Sequence, residues 1–543
     1  MLSSAWKSFK TAKWGIPQSN TLADSALYTH TSGRWLCNEK THMALREVRF
    51  NVAALKRAVA RSVHANSIIS MVKIGENFNR AFLCTCDNGR EVIARLPTQL
   101  SGPPYFTTAS EVATMDFLRR LGIPVPRVLA WNSRADDSAV GAEYIIMEKA
   151  EGRILQTIPQ SHERRRELTL ALSKVLRPLS QLQFKYHGSI YYKGDLPQSL
   201  VTQADFLLEP PTGVDISPFV MGPSAGREWW EAERATLDIH RGPWPSAHKY
   251  FSNAATREQL WIMNHAKPSL YDDYLCVLPL QGKYDEHVEM LNIYKEVLNF
   301  ILLLGMSPHH TTGRIWHPDL HDSNIFVDNS QDGSVKITSI IDWQGACASP
   351  AFVQLAVPEI FSFPAATLET GESGRREDRT LHSDFERLTF PEMLDIPWRA
   401  LRAEICDWAG TTWKTGLLPL KNSLMTLQKQ WPKIAPDYRC PITFTEEECM
   451  KIENALATYW DRRRLYLSLN EELGLDEYGY VDFKGDELRG QKEFRRIQKV
   501  LEEKRLEHMS RRADHVDGDV IRALQWPFRD TLADDPRSHM KAV

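Results

Sequence analysis

A short stretch between two apolar pairs, IWHPDLHDSNIFVD at residues 315–328, concentrates polar side chains of the kinds that carry out chemistry. It contains His317, Asp319 and Asn324, and the apolar strand that follows, KITSIIDWQGA, carries Asp342 at its end. This order suits phosphoryl transfer, in which one carboxylate accepts the proton of an attacking hydroxyl while an amide oxygen and a second carboxylate hold Mg²⁺ against nucleotide phosphates. Oxygen atoms are the ligands that Mg²⁺ prefers. We therefore predict a phosphoryl-transfer site, and the alternative is a polar turn that matches by chance.

The chain before this stretch is predicted to supply a sheet. Residues 51–64 have helical apolar spacing, and residues 67–97 have the pattern of three antiparallel strands. Turns at residues 75–77 and 87–89 separate these strands, and the Asn-Gly pair in the second turn is a strong hairpin signal. A helix over residues 107–121 and two further apolar strands follow.

After about residue 160 the pattern is mainly helical. Residues 285–306 form a long amphipathic segment that leads directly into the polar stretch. Residues 200–270 hold several prolines, glycines and aromatic residues, which favours an insertion or cap. Residues 370–380 are predicted to be an exposed loop, and residues 486–512, dense in both charge signs, an exposed helix with i,i+4 ion pairs.

The composition is that of an ordinary globular protein. Of 543 residues, 43% are hydrophobic and 25% are charged, with a formal net charge of −3. This balance argues against a broad basic face for nucleic acid. No apolar run approaches the roughly 20 residues that span a bilayer. The eight cysteines are scattered apart from Cys84 and Cys86, which favours reduced structural thiols over a metal site.

The N-terminal stretch MLSSAWKSFKTAKWGIPQSN carries lysines and no acidic residue. Its apolar residues Leu2, Ala5, Trp6 and Phe9 share one helical face. This is a weak match to a mitochondrial transit peptide, and the absence of arginine from the stretch counts against it. We predict an N-terminal extension over residues 1–45 that contains either a targeting segment or a surface helix.

Taken together, the two polar motifs resemble the catalytic and metal-binding loops of the aminoglycoside phosphotransferase and choline-kinase-like branch of the protein-kinase fold. By this resemblance Asp319 is the catalytic base, and Asn324 and Asp342 are the metal ligands. His317 would support the loop rather than take part in the chemistry. A protein kinase is a weaker alternative, because D-F-G and A-P-E sequences are missing and D-W-Q stands at Asp342.

The N-terminal half resembles the nucleotide-binding part of the same family. The sequence KIGENFNRAF has the position of the hairpin over the phosphates, with Gly75 and Asn77 at its tip. Arg95 occupies the place of the usual strand lysine, and Glu111 on the next helix would hold that cation. A guanidinium is planar and bidentate whereas an ammonium is a compact point charge, so Arg95 is expected to position phosphates differently. This departure and the missing G-x-G-x-x-G keep a catalytically weak or inactive pseudoenzyme open.

The sequence YIIMEKAEG resembles the strand that becomes the adenine-binding hinge of the family. Met147, Glu148 and Ala150 would then offer backbone hydrogen bonds to the base. The resemblance implies ATP and Mg²⁺ as cofactors and a small-molecule hydroxyl as the acceptor, with no nucleic-acid partner. It does not indicate an oligomeric state.

Three stretches, within residues 32–63, 107–131 and 226–233, resemble fungal phosphotransferase-family proteins of the altered-inheritance-of-mitochondria type. This second resemblance implies a mitochondrial location, with the cytoplasm as the alternative. It says little about the substrate, because function lies in the site and not in the fold.

We predict an α+β, two-lobed, protein-kinase-like fold with a small antiparallel sheet in the N-lobe and a mainly helical C-lobe. The N-lobe is placed at residues 46–148, the C-lobe at 149–400 and a helical C-terminal extension at 401–543. The predicted activity is ATP-dependent transfer of the γ-phosphate to a small-molecule hydroxyl. The alternative is a pseudoenzyme or scaffold that binds nucleotide or a protein partner.

Overall fold

The computed structural model describes residues 25–201, 205–266, 283–329, 334–361, 372–475, 479–483 and 485–510. Its strands are β1 Gly33–Trp35, β2 Ile68–Glu76, β3 Asn79–Cys86, β4 Glu91–Pro97, β5 Val128–Asn132, β6 Tyr144–Glu148, β7 Arg153–Ile154, β8 Ser189–Tyr192, β9 Phe219–Gly222, β10 Gly313–Ile315, β11 Ile325–Asn329, β12 Val335–Ile340, β13 Ala348–Pro350 and β14 Tyr480–Asp482. Its α-helices are α1 Ser25–Tyr28, α2 Glu39–Arg46, α3 Val52–Ser62, α4 Phe106–Arg120, α5 His162–Gln181, α6 Ala247–His265, α7 Tyr284–Leu303, α8 Pro308–Thr311, α9 Ala351–Gln354, α10 Glu372–Thr389, α11 Arg399–Ala409, α12 Thr412–Thr415, α13 Leu418–Ile434, α14 Glu446–Leu473 and α15 Glu487–Ser510.

The smaller lobe is built on a five-stranded antiparallel sheet with the strand order β2-β3-β4-β6-β5. The three strands predicted over residues 67–97 are present as β2, β3 and β4. Gly75 and Glu76 belong to β2 and not to the turn, because both remain paired with β3. The first turn therefore lies at residues 77–78, slightly later than the sequence suggested.

The two faces of this sheet differ. One face contributes residues that have no exposed surface and that form one apolar cluster with Leu55 and Val59 of α3, namely Phe82, Cys84, Ala94 and Ile146. Burial raises the pKa of Cys84 to about 12, which fits the structural thiol that the sequence indicated. The opposite face of the sheet carries Arg95.

Helix α4 packs against β5, β6 and β8 and carries Glu111. The backbone N–H of Tyr105, just before the helix, donates to the carboxylate of Glu143 at 2.7 Å. Glu143 is buried immediately before β6, and this burial raises its pKa to about 7. The start of α4 is thus fixed by a carboxylate from the sheet.

The larger lobe is mainly helical. Helix α5 buries a stripe of leucines with the spacing of a helix face, Leu168, Leu172, Leu176 and Leu179. Helices α6, α7 and α11 pack on one another, and between the helical elements lie the short strands β10 to β13. Strand β11 pairs with both β12 and β7. The molecule therefore has the two-lobed α+β fold that the sequence predicted.

One sequence expectation about a loop is wrong. Residues 370–380 were expected to be an exposed loop, but α10 begins at Glu372. Leu381 and Phe385, one helical turn apart, are buried, and Phe385 belongs to the large-lobe core. This burial stabilises a helix that extends back into the polar residues.

The two terminal regions meet. Strand β1 pairs antiparallel with β14, which joins residues 33–35 to residues 480–482. An apolar cluster made of Leu473, Val481, Phe494, Ile497 and Leu501 holds β14 against α14 and α15. Among the described residues there is no helix with the length and apolarity needed to cross a membrane.

Candidate active site

The polar stretch forms a loop between β10 and β11 whose ends are tied together. The side-chain Nδ2 of Asn324 donates to the backbone carbonyl of Asp319 at 2.9 Å. Asn324 is buried, whereas the side chain of Asp319 is 74% exposed. The loop is therefore rigid at its base and presents one carboxylate to solvent.

His317 joins this loop to the strand that follows it. Its Nε2–H donates to the backbone carbonyl of Ile341 at 2.8 Å, and its Nδ1 accepts the backbone N–H of Asp319 at 3.1 Å. The ring also lies against Trp343, with centroids 4.6 Å apart. Burial lowers the pKa of His317, so the ring is neutral and both nitrogens are occupied. This geometry suits a supporting residue and not a proton carrier.

A second histidine, which the sequence analysis did not single out, lies beside Asp319. His321 Nδ1 accepts the backbone N–H of Ser323 at 3.2 Å, and its Nε2 lies 3.1 Å from Nδ2 of Asn324. That Nε2 is 3.7 Å from Oδ2 of Asp319. His321 therefore contacts Asn324 and lies close to Asp319.

Asp342 follows β12 in a left-handed backbone conformation, with φ of 65°. Residues other than glycine seldom adopt this conformation, and when they do the surrounding structure must hold them there. Gln344 helps to fix this loop through two side-chain hydrogen bonds. Its Oε1 accepts a hydrogen bond from Asn79 Nδ2 at 2.7 Å, and its Nε2 donates to the carbonyl of Ser101 at 3.0 Å. The Asp342 loop is thereby attached to the smaller lobe.

Arg95 bridges two carboxylates. One arm of its guanidinium forms an ion pair with Glu111, and Nη1 is 2.9 Å from Oδ1 of Asp342. Arg95 and Glu111 are 7% and 2% exposed, while the side chain of Asp342 is 37% exposed. Burial opposes the charge of Arg95, but the two carboxylates outweigh it and hold the pKa above its ordinary value. The sequence paired Arg95 with Glu111 correctly in space and gave no sign of the contact with Asp342.

An accessible apolar row crosses the sheet beside Arg95. Direct cross-strand pairing places Val72 opposite Leu83, Leu83 opposite Ile93, and Ile93 opposite Met147. Val72 is 53% exposed, and Met147 is buried. Of this row only Met147 was picked out from the sequence. The available signal was the alternation of apolar residues that leads along β4 from Ile93 to Arg95.

The tip of the β2–β3 hairpin is held by more hydrogen bonds than we expected for a flexible hairpin over the phosphates. Oδ1 of Asn77 accepts Nε of Arg46 at 2.9 Å. The hydroxyl of Thr98 donates to the carbonyl of Phe78 at 2.8 Å. A Cβ on Gly75 would lie 3.2 Å from Cβ of Ala81, so glycine allows close strand contact there. The side chain of Asn77 is thus engaged within the protein.

The predicted hinge residues lie at the end of β6. The backbone N–H of Glu148 donates to the carbonyl of Arg127 at 2.9 Å, and its carboxylate accepts the N–H of Arg127 at 3.1 Å. The backbone N–H of Glu148 is therefore not available to an adenine base. Met147 remains in the sheet, and Ala150 follows the end of the strand.

The groups present suit Mg²⁺. Asn324 and Asp342 offer an amide oxygen and a carboxylate, and the backbone N–H of Ile341 donates to the carbonyl of Asn324 at 3.0 Å, which keeps the two segments adjacent. Among the described residues there is no group of three or more His, Cys, Asp and Glu side chains suited to a metal. Mg²⁺ is commonly held by one or two protein oxygens together with phosphates and water, so two ligands fit this ion better than a closed protein site would.

Comparison with known proteins finds sequence matches over much of the chain. The model of the family described as "Phosphotransferase enzyme family" matches residues 74–357. A subtelomeric hrmA-associated cluster protein of Aspergillus fumigatus is 30% identical over 470 residues, which cover 75% of this chain and 88% of that protein. The mitochondrial protein named altered inheritance of mitochondria protein 9 of Yarrowia lipolytica is 21% identical over 369 residues, covering 63% of this chain and 62% of that protein.

Among solved structures, spectinomycin phosphotransferase in complex with ADP and spectinomycin is 10% identical to this chain. The superposition covers 76% of this chain and 98% of that one, with a TM-score of 0.33. The family assignment rests on the sequence matches and not on this structural likeness.

Proposed function

This chain belongs to the phosphotransferase enzyme family, and we propose that it transfers the γ-phosphate of ATP to the hydroxyl of a small molecule, with Asp319 as the base. The observation that carries the proposal is the position of His317. Its ring ties the backbone of Asp319 to Ile341, the residue before Asp342. One buried side chain therefore supports both the proposed base and a proposed metal ligand.

In the proposed reaction, a bond forms between the acceptor oxygen and the γ-phosphorus while the bond from that phosphorus to the β–γ bridging oxygen breaks, and ADP leaves. The carboxylate of Asp319 accepts the proton of the acceptor hydroxyl. The exposure of the Asp319 side chain gives a substrate access to it. When bound, Mg²⁺ would neutralise phosphate charge, and Asn324 and Asp342 are the residues that would hold it.

The apolar row of Val72, Leu83 and Ile93 is proposed to cover the purine ring. A flat apolar ring is favourably buried against such side chains, and the accessible surface of Val72 provides room for this contact. Arg95 lies on the same face as Ile93, two residues further along β4, where phosphates attached to the nucleoside would come within its reach.

The proposed base is tested by Asp319→Asn, which keeps the shape of the side chain and removes its charge. We expect ATP binding, measured by calorimetry with Mg²⁺, to stay within about threefold of the wild type, because Asp319 is not a proposed ligand. Formation of ADP and phosphorylated product with a panel of hydroxyl-bearing metabolites should fall by at least about a hundredfold. Asp322→Asn, in the same loop, is the matched control. Wild-type turnover in Asp319→Asn would exclude this residue as the base.

A nucleotide-binding protein without turnover is the second candidate. The observation that favours it is the contact between Arg95 and Asp342, because the guanidinium neutralises the carboxylate proposed for the metal. This candidate predicts that ATP binds equally well with and without Mg²⁺ and that no acceptor is phosphorylated. Product formation by the wild type that Asp319→Asn abolishes would exclude it.

We also propose a mitochondrial location. The support is the name of the Yarrowia lipolytica relative, together with the lysine-bearing N-terminal stretch. Import of the full chain into isolated mitochondria, with protection from added protease, is the test. Recovery of the whole protein in the cytoplasmic fraction would contradict the proposal.

A further inference from the structure

We propose that residues 28–35 and 480–482, both outside the matched family region, form a terminal clasp that fixes the β2–β3 hairpin and thereby sets the affinity for nucleotide. Glu76 and Tyr480 are its positioning residues. The effect on nucleotide rests on the proposed function, whereas the hold on the hairpin does not. The argument starts from Glu76, the last residue of β2.

Glu76 connects the hairpin to the N-terminal segment. Its carboxylate accepts the backbone N–H of Thr31 at 2.9 Å and also that of Ser32, and it accepts the hydroxyl of Thr31 at 3.1 Å. Lys73 and Arg80 form ion pairs with the same carboxylate from the hairpin side. Although burial opposes ionisation, these donors hold the pKa of Glu76 at about 2, so it is charged at every physiological pH.

Arg80 strengthens the same connection. Its side chain has no exposed surface, and Nη2 donates to the carbonyl of Tyr28 at 3.0 Å and to that of Arg46 at 2.7 Å. Arg46 in turn donates to Asn77 at the hairpin tip. Both ends of the turn are thus bonded to residues that precede the sheet in the chain.

Tyr480 brings the C-terminal region into this network. His30 Nδ1 lies 3.0 Å from the carbonyl of Glu76, so it carries the ring proton and donates there, and Nε2 is left as an acceptor. The hydroxyl of Tyr480 is 3.1 Å from that Nε2 and 2.8 Å from the hydroxyl of Ser32. Ser32 Oγ also lies 3.3 Å from the same Nε2, so Ser32, Tyr480 and His30 form a triangle of hydrogen bonds, and His30 connects it to the backbone of the hairpin.

The clasp is anchored to the terminal helices. Val481 belongs to the apolar cluster of α14 and α15, and the guanidinium of Arg34 lies 4.4 Å from the ring of Phe494 on α15. The ring centroid of Trp35 lies 4.8 Å from that of Tyr480. A shift of the terminal helices would consequently reach Tyr480, and through it the residues that hold Glu76.

The test is Tyr480→Phe, which removes one hydroxyl and keeps the ring contact with Trp35. The matched control is Tyr191→Phe in the larger lobe, which loses a buried hydrogen bond from its hydroxyl to the carbonyl of Pro223 at 2.8 Å. Backbone hydrogen exchange at residues 75–79 and the Kd for ATP with Mg²⁺ are measured on the full chain. One ordinary hydrogen bond corresponds to about a twofold to tenfold change in an equilibrium constant.

We expect Tyr480→Phe to speed exchange at residues 75–79 and to raise the Kd for ATP by about threefold to tenfold, while Tyr191→Phe changes neither. Unchanged exchange in Tyr480→Phe overturns the clasp. Faster exchange with an unchanged Kd overturns its link to nucleotide, and equal effects in both variants show a general loss of stability instead. If the wild type binds no ATP, the proposed function fails, and the exchange result still decides whether the clasp holds the hairpin.

Discussion

Removing Arg95 tests whether its buried contact with Glu111, within the smaller lobe, is a true ion pair. In Arg95→Met, Glu111 loses its ion-pair partner while remaining almost fully buried, and its Oε1 already has no hydrogen-bond partner among the described residues. A buried carboxylate without a counter-charge takes up a proton, and this protonation limits the loss of unfolding free energy at a given pH. From an ordinary pKa of about 4.3 and about 1.36 kcal/mol per pH unit, that limit is roughly 3–4 kcal/mol at pH 7 and about 1 kcal/mol at pH 5.

We therefore expect Arg95→Met to lose up to about 3–4 kcal/mol of unfolding free energy at pH 7 and clearly less at pH 5. Urea unfolding followed by tryptophan fluorescence measures both values. The double variant Arg95→Met with Glu111→Leu removes the unpaired charge and should recover most of the loss, because a buried ion pair is often replaceable by apolar residues. A loss below about 1 kcal/mol at pH 7, or losses that simply add in the double variant, would refute the reasoning.

Three further predictions concern residues that position the site. Burial raises the pKa of Glu143 to about 7, so between about pH 4.5 and 7 the native state keeps a proton that the unfolded chain has lost. The contribution of Glu143 to the free energy of unfolding is therefore fully present below about pH 4.5 and is lost as the pH rises through 7. Glu143→Gln should therefore reduce the difference in unfolding free energy between pH 5 and pH 8 by up to about 3 kcal/mol, and an unchanged pH profile would contradict this. His317→Asn should lower kcat by roughly 10- to 100-fold through displacement of Asp319, with the Kd for ATP within about threefold; a wild-type kcat would show that the ring does not position the base. A double-mutant cycle of Gln344→Leu and Asn79→Leu should give a coupling of about 1 kcal/mol by urea unfolding, and additive losses would mean that this contact does not join the lobes.

The sequence predicted the parts of the molecule that local pattern specifies. The Asn-Gly turn and the alternating residues of β3 and β4 identified the hairpins, because turn chemistry and a period of two are local properties. The D-x-x-x-x-N spacing brought Asp319 and Asn324 into one loop for the same reason. The roles assigned to these two residues remain predictions that the experiments above address.

Contacts between distant segments were not predictable in the same way. Nothing near Arg95 in the chain indicates that Asp342 lies 2.9 Å away. Strands β1 and β14 are three residues long, too short to show any periodicity. The helix at residues 372–389 was missed because its charged first half resembles a loop, and its stability comes from tertiary burial further along.

The pairing of β1 with β14 also has a consequence for the synthesis of the protein. Ser32 and its partner Tyr480 are 448 residues apart. At about 5–20 residues per second, a ribosome needs roughly 20 to 90 s to travel between them. During that time the edge of β1 lacks its partner strand β14, which favours binding by chaperones. A chain released early would expose the unpaired edge of β1 even with both lobes complete, and this exposed edge would distinguish it from the full-length protein.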